Sequence, residues 1–330
     1  MEMKKMKAIV ATGYGAPEVL QFTEVGKPQP KDNEVLVKVH ATSATTADTM
    51  MRTGKPYFGR LFLGLKRPKH PIPGTGFAGE VVSIGKEVTR FQTGDLVFGE
   101  TTLGFSTNAE YVAVPENGVI IHKPENMSFA EATTFPDGHL TSMNFLKEIA
   151  NIQPGQRILI NGASGSLGTA AIQLAKYFGA EVTGVSSTKN IGLVKSLGAD
   201  HVIDYTQTDF TKSGQTYDII YDTVGKSSFG KSKKVLTEHG LYISPVLKFP
   251  MLLQMMWTAV IGKKKAKFAA SGLKSDTELR KLLSELVGIF KEGRLKTIID
   301  RQYPLEKVAQ AHVYIAGGHK KGNVVIMVQA

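Results

Sequence analysis

Arg157-Ile158-Leu159-Ile160-Asn161-Gly162-Ala163-Ser164-Gly165-Ser166-Leu167-Gly168 runs from an apolar strand through a glycine turn straight into a helix. In that helix, Ala171, Leu174, Ala175 and Phe178 fall on one face. A glycine pattern alone says little, but between a strand and a helix it marks where a dinucleotide's diphosphate rests. Glycine permits the tight turn and a close backbone approach. The helix N-terminus adds unbonded N–H groups and the positive end of its dipole. Gly162, Ala163, Ser164, Gly165, Ser166, Leu167 and Gly168 are therefore the first candidate cofactor contacts. Ala163 stands at the first glycine position of the usual pattern.

Outward from this loop the alternation continues. Strands are expected at Glu181–Val185, His201–Asp204, Tyr217–Asp222 and Leu241–Pro245, with a helix at Thr188–Leu197 and another before the last strand. Strands separated by helices predict a parallel, doubly wound sheet. The first 125 residues read differently, as short strands such as Val35–Val39, Phe77–Ile84 and Ala109–Val114 between Gly–Pro turns. The tail predicts a helix at Asp276–Lys291, a strand at Thr297–Ile299, a helix at Glu306–Ala316 and a strand at Gly322–Val328. Lone terminal strands are expected to rejoin the first domain. The fold class is thus α/β, with a β-rich domain of residues 1–125 and 270–330 and a cofactor-binding domain of 126–269.

The second strand ends in Ser186-Ser187-Thr188-Lys189, where an NAD site usually carries an acid for the ribose 2′-hydroxyl. No acid lies between Glu181 and Asp200. Ser186, Ser187 and Lys189 would welcome a 2′-phosphate, and Tyr205 could add a hydroxyl; the expected cofactor is NADPH. Lys189 also reads as a solvated lysine at a helix start. Asp222, Thr223 and Val224 end a strand where open sheets bind ligands, and backbone contact with ribose or nicotinamide is expected there; Ser244 at the end of the next strand and Asn323 in the tail are weaker candidates.

The 330 residues are 42% hydrophobic and 21% charged, which excludes disordered, collagenous and coiled-coil classes. Cysteine is absent, removing disulfides, thiolate metal sites and thiol nucleophiles. This fits a reducing compartment. With no signal core or apolar run of membrane-spanning length, the expected location is the cytoplasm. The net charge of +11 is concentrated: residues 226–274 hold ten Lys and one acid, Glu238. That segment reads as a solvated basic face, a site for an anionic ligand, or a contact with an anionic membrane.

The stretch Gly155-Gln156 … Leu159 … Ala163-Ser164-Gly165-Ser166-Leu167-Gly168 … Gln173 … Lys176 resembles the medium-chain dehydrogenase/reductase superfamily, in its zinc-less, zeta-crystallin-like quinone oxidoreductase branch. The departure is Ser166, where glycine is usual. The likeness covers nearly the whole chain, from Met6-Lys7-Ala8-Ile9 to Gly322-Asn323-Val324-Val325-Ile326. It implies a chaperonin-10-like catalytic domain, a Rossmann domain, a homodimer, and NADPH-dependent hydride transfer to quinones or α,β-unsaturated carbonyls. It also implies a threonine like Thr141 beside the nicotinamide, and a 2′-phosphate site like Lys189 with Tyr205.

Gly74-Thr75-Gly76-Phe77-Ala78-Gly79 keeps the frame of the alcohol-dehydrogenase zinc motif but changes both functional positions. The other ligand positions fall near Thr45 and Asp137, so no metal is expected. Without a metal, conjugate reduction is favoured, because hydrogen-bond donors suffice to stabilise an enolate. Zinc-less relatives often place Asn at position 45 and Tyr at position 50; Thr45 and Met50 stand here. Candidate catalytic donors are Thr45, Tyr57 and His139. Tyr57 also reads as a structural residue and His139 as a helix-start packing residue. Asp48 is expected to cap a short helix. Phe249–Gly262 is nearly all apolar, holds the only Trp, and precedes Lys263, Lys264, Lys265 and Lys267. It is expected to line a substrate mouth or a subunit contact, with peripheral membrane contact as the less favoured reading. The rival functions are an NADPH-binding or RNA-binding protein without catalysis, and an NADPH-dependent aldehyde reductase. No RNA-recognition aromatic motif accompanies the lysines, and no nucleic acid is expected.

Overall fold

The computed structural model describes residues 4–55, 57–269 and 274–328. The chain forms two compact units: one takes in the described residues of Met1–Asp137, Ser275–Ser284 and Ile299–Ala330, the other Gly138–Lys274 and Glu285–Ile298.

The first unit is mostly β. Strands β1 (Lys5–Ala11) and β2 (Leu20–Gly26) pair antiparallel. A second sheet contains β3 (Glu34–Ala44), β4 (Gly76–Ile84), β5 (Leu96–Glu100), β6 (Tyr111–Pro115) and β7 (Val119–His122). Val35, Val37, Val39, Phe77, Val81 and Val97 fill its core, as period-two apolar spacing requires. Close strand approach is enforced at Gly79, where a Cβ would meet the Lys38 carbonyl oxygen at 2.0 Å.

The second unit is a six-stranded parallel sheet of β8 (Arg157–Asn161), β9 (Glu181–Ser186), β10 (His201–Asp204), β11 (Tyr217–Asp222), β12 (Leu236–Ser244) and β13 (Lys265–Phe268). Its order is β10-β9-β8-β11-β12-β13. The chain winds outward from β8 one way and then, from β11, the other. The gap between β8 and β11 is thus the switch point at which such sheets bind ligands. Strand β13 is absent from the sequence reading. Its Lys-Ala-Lys-Phe alternation buries Ala266 and places lysines on a sheet edge, a usual guard against unwanted strand pairing.

The tail closes the first unit's sheet: β15 (Asn323–Met327) pairs antiparallel with β3 and parallel with β14 (Ile299–Pro304). The strand expected at Thr297–Ile299 instead begins at Ile299 and runs to Pro304. Its polar Asp-Arg-Gln stretch sits on the sheet edge, paired only with β15 among the described residues.

Candidate cofactor site and active-site residues

The loop after β8 is fixed from three sides. Gly162 and Ala163 donate their backbone N–H groups to the Val185 carbonyl of β9, at 3.2 and 3.0 Å. Gly165 N–H turns back to Gly162 O at 3.1 Å. Gly162 takes φ +83°, where a side chain would also strike Thr223 and Val224 of the neighbouring loop. A Cβ on Gly168 would meet Gly162 O at 2.2 Å, so glycine there lets the helix Ser166–Tyr177 lie on its own loop. At Gly165 the nearest atom would be 3.5 Å away, leaving that side open. The first N–H groups of this helix have no carbonyl one turn earlier to bond. A buried Asn190 steadies the loop, donating to Ser164 Oγ at 3.0 Å. Nothing in the sequence singled out Asn190, because the contact crosses from β9's connection to β8's.

Beyond β9, Ser186 is buried, Ser187 is half-buried, and Lys189 and Tyr205 are exposed. Tyr205 N–H donates to Ser186 O at 3.0 Å, which places it beside the serines. One acid missed in the linear reading also stands here. Asp204 lies opposite Ser186 in the β9–β10 register. Its carboxylate accepts from Thr188 Oγ1 at 2.5 Å, Thr206 Oγ1 at 2.7 Å and Thr206 N at 2.9 Å. These bonds, the Thr188 hydroxyl first, hold its pKa below the usual carboxylate range.

Asp222 is fully buried and its carboxylate is committed to the protein. Oδ1 accepts from Asn161 Nδ2 at 2.9 Å and Gly225 N at 3.0 Å; Oδ2 accepts from Tyr242 Oη at 2.7 Å and Ser227 N at 2.9 Å. Burial, then the Asp222 charge, pushes the Tyr242 phenol well above its ordinary value. Ser244 Oγ donates to Asp222 O at 2.8 Å, and Thr223 Oγ1 to Asn161 O at 2.7 Å. These side chains shape the strand ends and leave the exposed Val224 and its backbone to face outward. Gly162–Gly168, Ser186, Ser187, Lys189, Tyr205, Asp222, Thr223, Val224 and Ser244 thus share the carboxyl edge of one sheet. Asn323, by contrast, is buried at the start of β15 in the first unit.

His139 is buried at the end of a wide helical turn, Phe135–His139, and Thr141 follows in the helix Leu140–Met143. Ser142 Oγ donates to Leu167 O at 2.9 Å, and a Cβ on Gly138 would meet Ser166 Oγ at 2.7 Å. Both contacts bring this segment onto the glycine loop's helix.

Thr45 and Tyr57 lie in the first unit. Thr45 caps the helix Thr46–Thr53: it accepts from Asp48 N at 3.0 Å and donates its own hydroxyl proton to Asp48 Oδ2 at 2.8 Å. Asp48, expected as the cap, is the reciprocal partner three residues on. Thr45 Oγ1 is therefore already occupied as a donor. Asp48 is buried, and its Oδ1 has no hydrogen-bond partner. Desolvation raises its pKa to about 6, against the Thr45 bonds. Tyr57 is exposed, with the Arg60 guanidinium 4.9 Å from its ring centre.

The zinc positions do not fit the metal. Thr45 is bound to Asp48, Thr75 supplies another neutral hydroxyl, and Asp137 is the sole carboxylate of the three. Among the described residues no group of three His, Cys, Asp or Glu is placed to hold a metal. The glycine loop, by contrast, fits a dinucleotide diphosphate, since it combines an open backbone at Gly165 with a helix start.

The chain matches family models described as "Alcohol dehydrogenase GroES-like domain" over residues 31–125 and "Zinc-binding dehydrogenase" over residues 197–326. It is 34% identical to the chloroplastic quinone-oxidoreductase homolog of Spinacia oleracea, covering 99% of both chains. It is 30% identical to the chloroplastic NADPH-dependent alkenal/one oxidoreductase of Arabidopsis thaliana, covering 98% of this chain and 80% of that one. The solved quinone oxidoreductase of Coxiella burnetii superposes with a TM-score of 0.88 at 30% identity, over 99% of this chain and 100% of the other. The chain belongs to the medium-chain dehydrogenase/reductase superfamily, in its quinone oxidoreductase branch.

Proposed function

We propose that the protein is an NADPH-dependent reductase of quinones or α,β-unsaturated carbonyls that works without zinc. Its membership in the quinone oxidoreductase branch makes it a nicotinamide-dependent oxidoreductase. The observation that carries the finer reading is the carboxyl edge of the second unit's sheet. There a glycine loop stands beside Ser186, Ser187, Lys189 and Tyr205, and the one nearby acid, Asp204, is bound by threonines. Bound NADPH would supply the hydride.

The chain's own part is positional. N–H groups at the helix start that follows Gly165 hold the diphosphate, while those of Gly162, Ala163 and Gly165 are bonded within the protein and fix the loop. Lys189, with the serine and tyrosine hydroxyls, holds the 2′-phosphate. The backbone of Asp222–Val224, fixed by the buried carboxylate, borders the ribose and nicotinamide, with Thr141 as the threonine beside the ring. Because Thr45 already donates to Asp48, the exposed Tyr57 hydroxyl and backbone N–H groups are the better candidates to stabilise an enolate oxygen. His139 is the candidate proton donor. The names of the spinach and Arabidopsis relatives support these acceptors. A cytoplasmic homodimer completes the proposal.

The test is consumption of NADPH and NADH with a panel of quinones, enones, aldehydes and alcohols, with and without chelator. Chelator-insensitive turnover of NADPH with quinones or enones is expected. Activity confined to aldehydes, a zinc requirement, or no turnover with any acceptor would overturn the proposal. Lys189→Ala should weaken NADPH by roughly 10–150-fold, the range of a charge-assisted hydrogen bond, and leave NADH nearly unchanged. Equal losses for both cofactors would remove Lys189 from the 2′-phosphate.

A further inference from the structure

A carboxylate at a strand end beside Ser186 is well placed to accept from a ribose 2′-hydroxyl and badly placed for a 2′-phosphate, which it repels. Asp204 holds that position, opposite Ser186 in the β9–β10 register. Three donors meet it. Thr188 Oγ1 binds Oδ2 at 2.5 Å, and Thr206 Oγ1 and N bind Oδ1 at 2.7 and 2.9 Å. The two threonine hydroxyls stand 3.2 Å apart. These bonds favour the charged form, so Asp204 stays ionised at neutral pH. The site therefore does not shed the charge by protonation; it can only hold it in place.

The turn after β10 does not require all three donors. Its backbone is closed by Gln207 N and Thr208 N on Asp204 O, at 3.1 and 2.9 Å, and by Thr206 N on Oδ1. Thr188 belongs to a different connection, the one after β9, sixteen residues earlier in the chain. Its hydroxyl takes Oδ2, the oxygen to which the turn gives nothing. The residue after Thr188 is Lys189, which is in no ion pair among the described residues, so its ammonium remains available to an anion. Tyr205, between Asp204 and Thr206, is exposed and is held against β9 by its N–H on Ser186 O.

Resting on the NADPH reading above, we propose that Thr188 and Thr206 determine cofactor specificity by holding the Asp204 carboxylate. A carboxylate has roughly four acceptor positions, and three of these are taken. Little capacity is left for a ribose 2′-hydroxyl, which withholds from NADH the acceptor that NADH sites commonly use. The bond from Thr188 also keeps Oδ2 from turning to Lys189, whose charge a 2′-phosphate needs. Both threonines act through the acid and are positioning residues.

The experiment titrates the full chain calorimetrically with NADPH and with NADH and reads the ratio of the two dissociation constants. Thr188→Val removes a hydroxyl from an exposed side chain and nearly keeps its shape. It should lower the preference for NADPH by about tenfold, the lower end of what one charge-assisted hydrogen bond supplies. Thr188→Val with Thr206→Val should lower it further, and Thr188→Ser, which keeps the hydroxyl, should retain the wild-type ratio. In the Asp204→Asn background the same valine changes should move the ratio by less than about twofold, because the charge they control is gone. The proposal is overturned if Thr188→Val weakens both cofactors equally, if Thr188→Ser shifts the ratio as Thr188→Val does, or if the shift persists in the Asp204→Asn background. A wild type that binds NADPH no better than NADH overturns the NADPH reading itself; an unmoved ratio in the threonine variants of a wild type that prefers NADPH overturns this inference alone.

Discussion

Adding one methyl group at each of two glycines should separate the two jobs of the loop. At Gly168 the new Cβ would stand 2.2 Å from Gly162 O and 2.6 Å from Ala163 Cα, both well inside the 3.4 Å at which ordinary contact begins. Neither atom can yield cheaply, because Gly162 and Ala163 are both bonded to Val185 O and Ala163 is fully buried. Such overpacking costs roughly 1–3 kcal/mol, and contacts this short against held backbone put it at the upper end, so about 1–2 kcal/mol remains after up to about 1 kcal/mol of helix propensity. Gly168→Ala should therefore lower the melting temperature of the free protein by roughly 2–8 °C. It should also cost at least about tenfold in cofactor affinity, since the loop N–H groups move. At Gly165 the methyl would meet nothing closer than 3.5 Å, and φ is −82°, which any residue adopts. Gly165→Ala should leave the melting temperature unchanged, yet weaken NADPH and NADH alike by obstructing backbone approach to the diphosphate they share. Thermal melts of the apo protein and calorimetric titration with each cofactor provide the comparison. Wild-type affinity in Gly165→Ala would refute the diphosphate cradle. An unchanged melting temperature in Gly168→Ala would refute the close helix–loop packing.

Asp222→Asn should destabilise the protein by roughly 2–4 kcal/mol in denaturant titrations, because the new amide must face two of the four donors that now converge on the carboxylate. A loss below about 1 kcal/mol would mean that these bonds do not hold the strand ends together. Asp48 gives a pH dependence. Its folded pKa of about 6 lies above the ordinary value near 3.9, so its proton is stabilising below about pH 4, and that contribution disappears as pH rises to 6. Asp48→Asn keeps an acceptor for Thr45 without the charge. It should match wild type near pH 4 and exceed it by up to about 3 kcal/mol at pH 7. A difference independent of pH would show that the buried carboxyl titrates normally.

Local geometry made much of the fold legible. The glycine loop, the helix after it and the βαβ succession all follow from spacing along the chain, and the tail strands do rejoin the first unit's sheet. What stayed hidden depends on neighbours in space. A search along the second strand for a ribose-binding acid ends before Asp204, which arrives only through the β9–β10 register. Strand β13 is four residues long and half lysine, so its pattern is weak until β12 offers it a partner.

The two ends of the site differ in how far residue type alone could be trusted. On the cofactor side, glycine was informative because its conformation and lack of a side chain are the function, and both are local. On the catalytic side, Thr45 is a candidate for the proton its hydroxyl can donate, but a polar group has a limited number of bonds to make. Thr45 gives that proton to Asp48, so it lacks the capacity its residue type suggests. Lys189 and Tyr57 keep their exposed heads, which is why variants at these positions should read directly on cofactor and acceptor. A Thr45 variant would act first through the helix it caps, and Thr45→Ala would therefore alter stability before it altered chemistry.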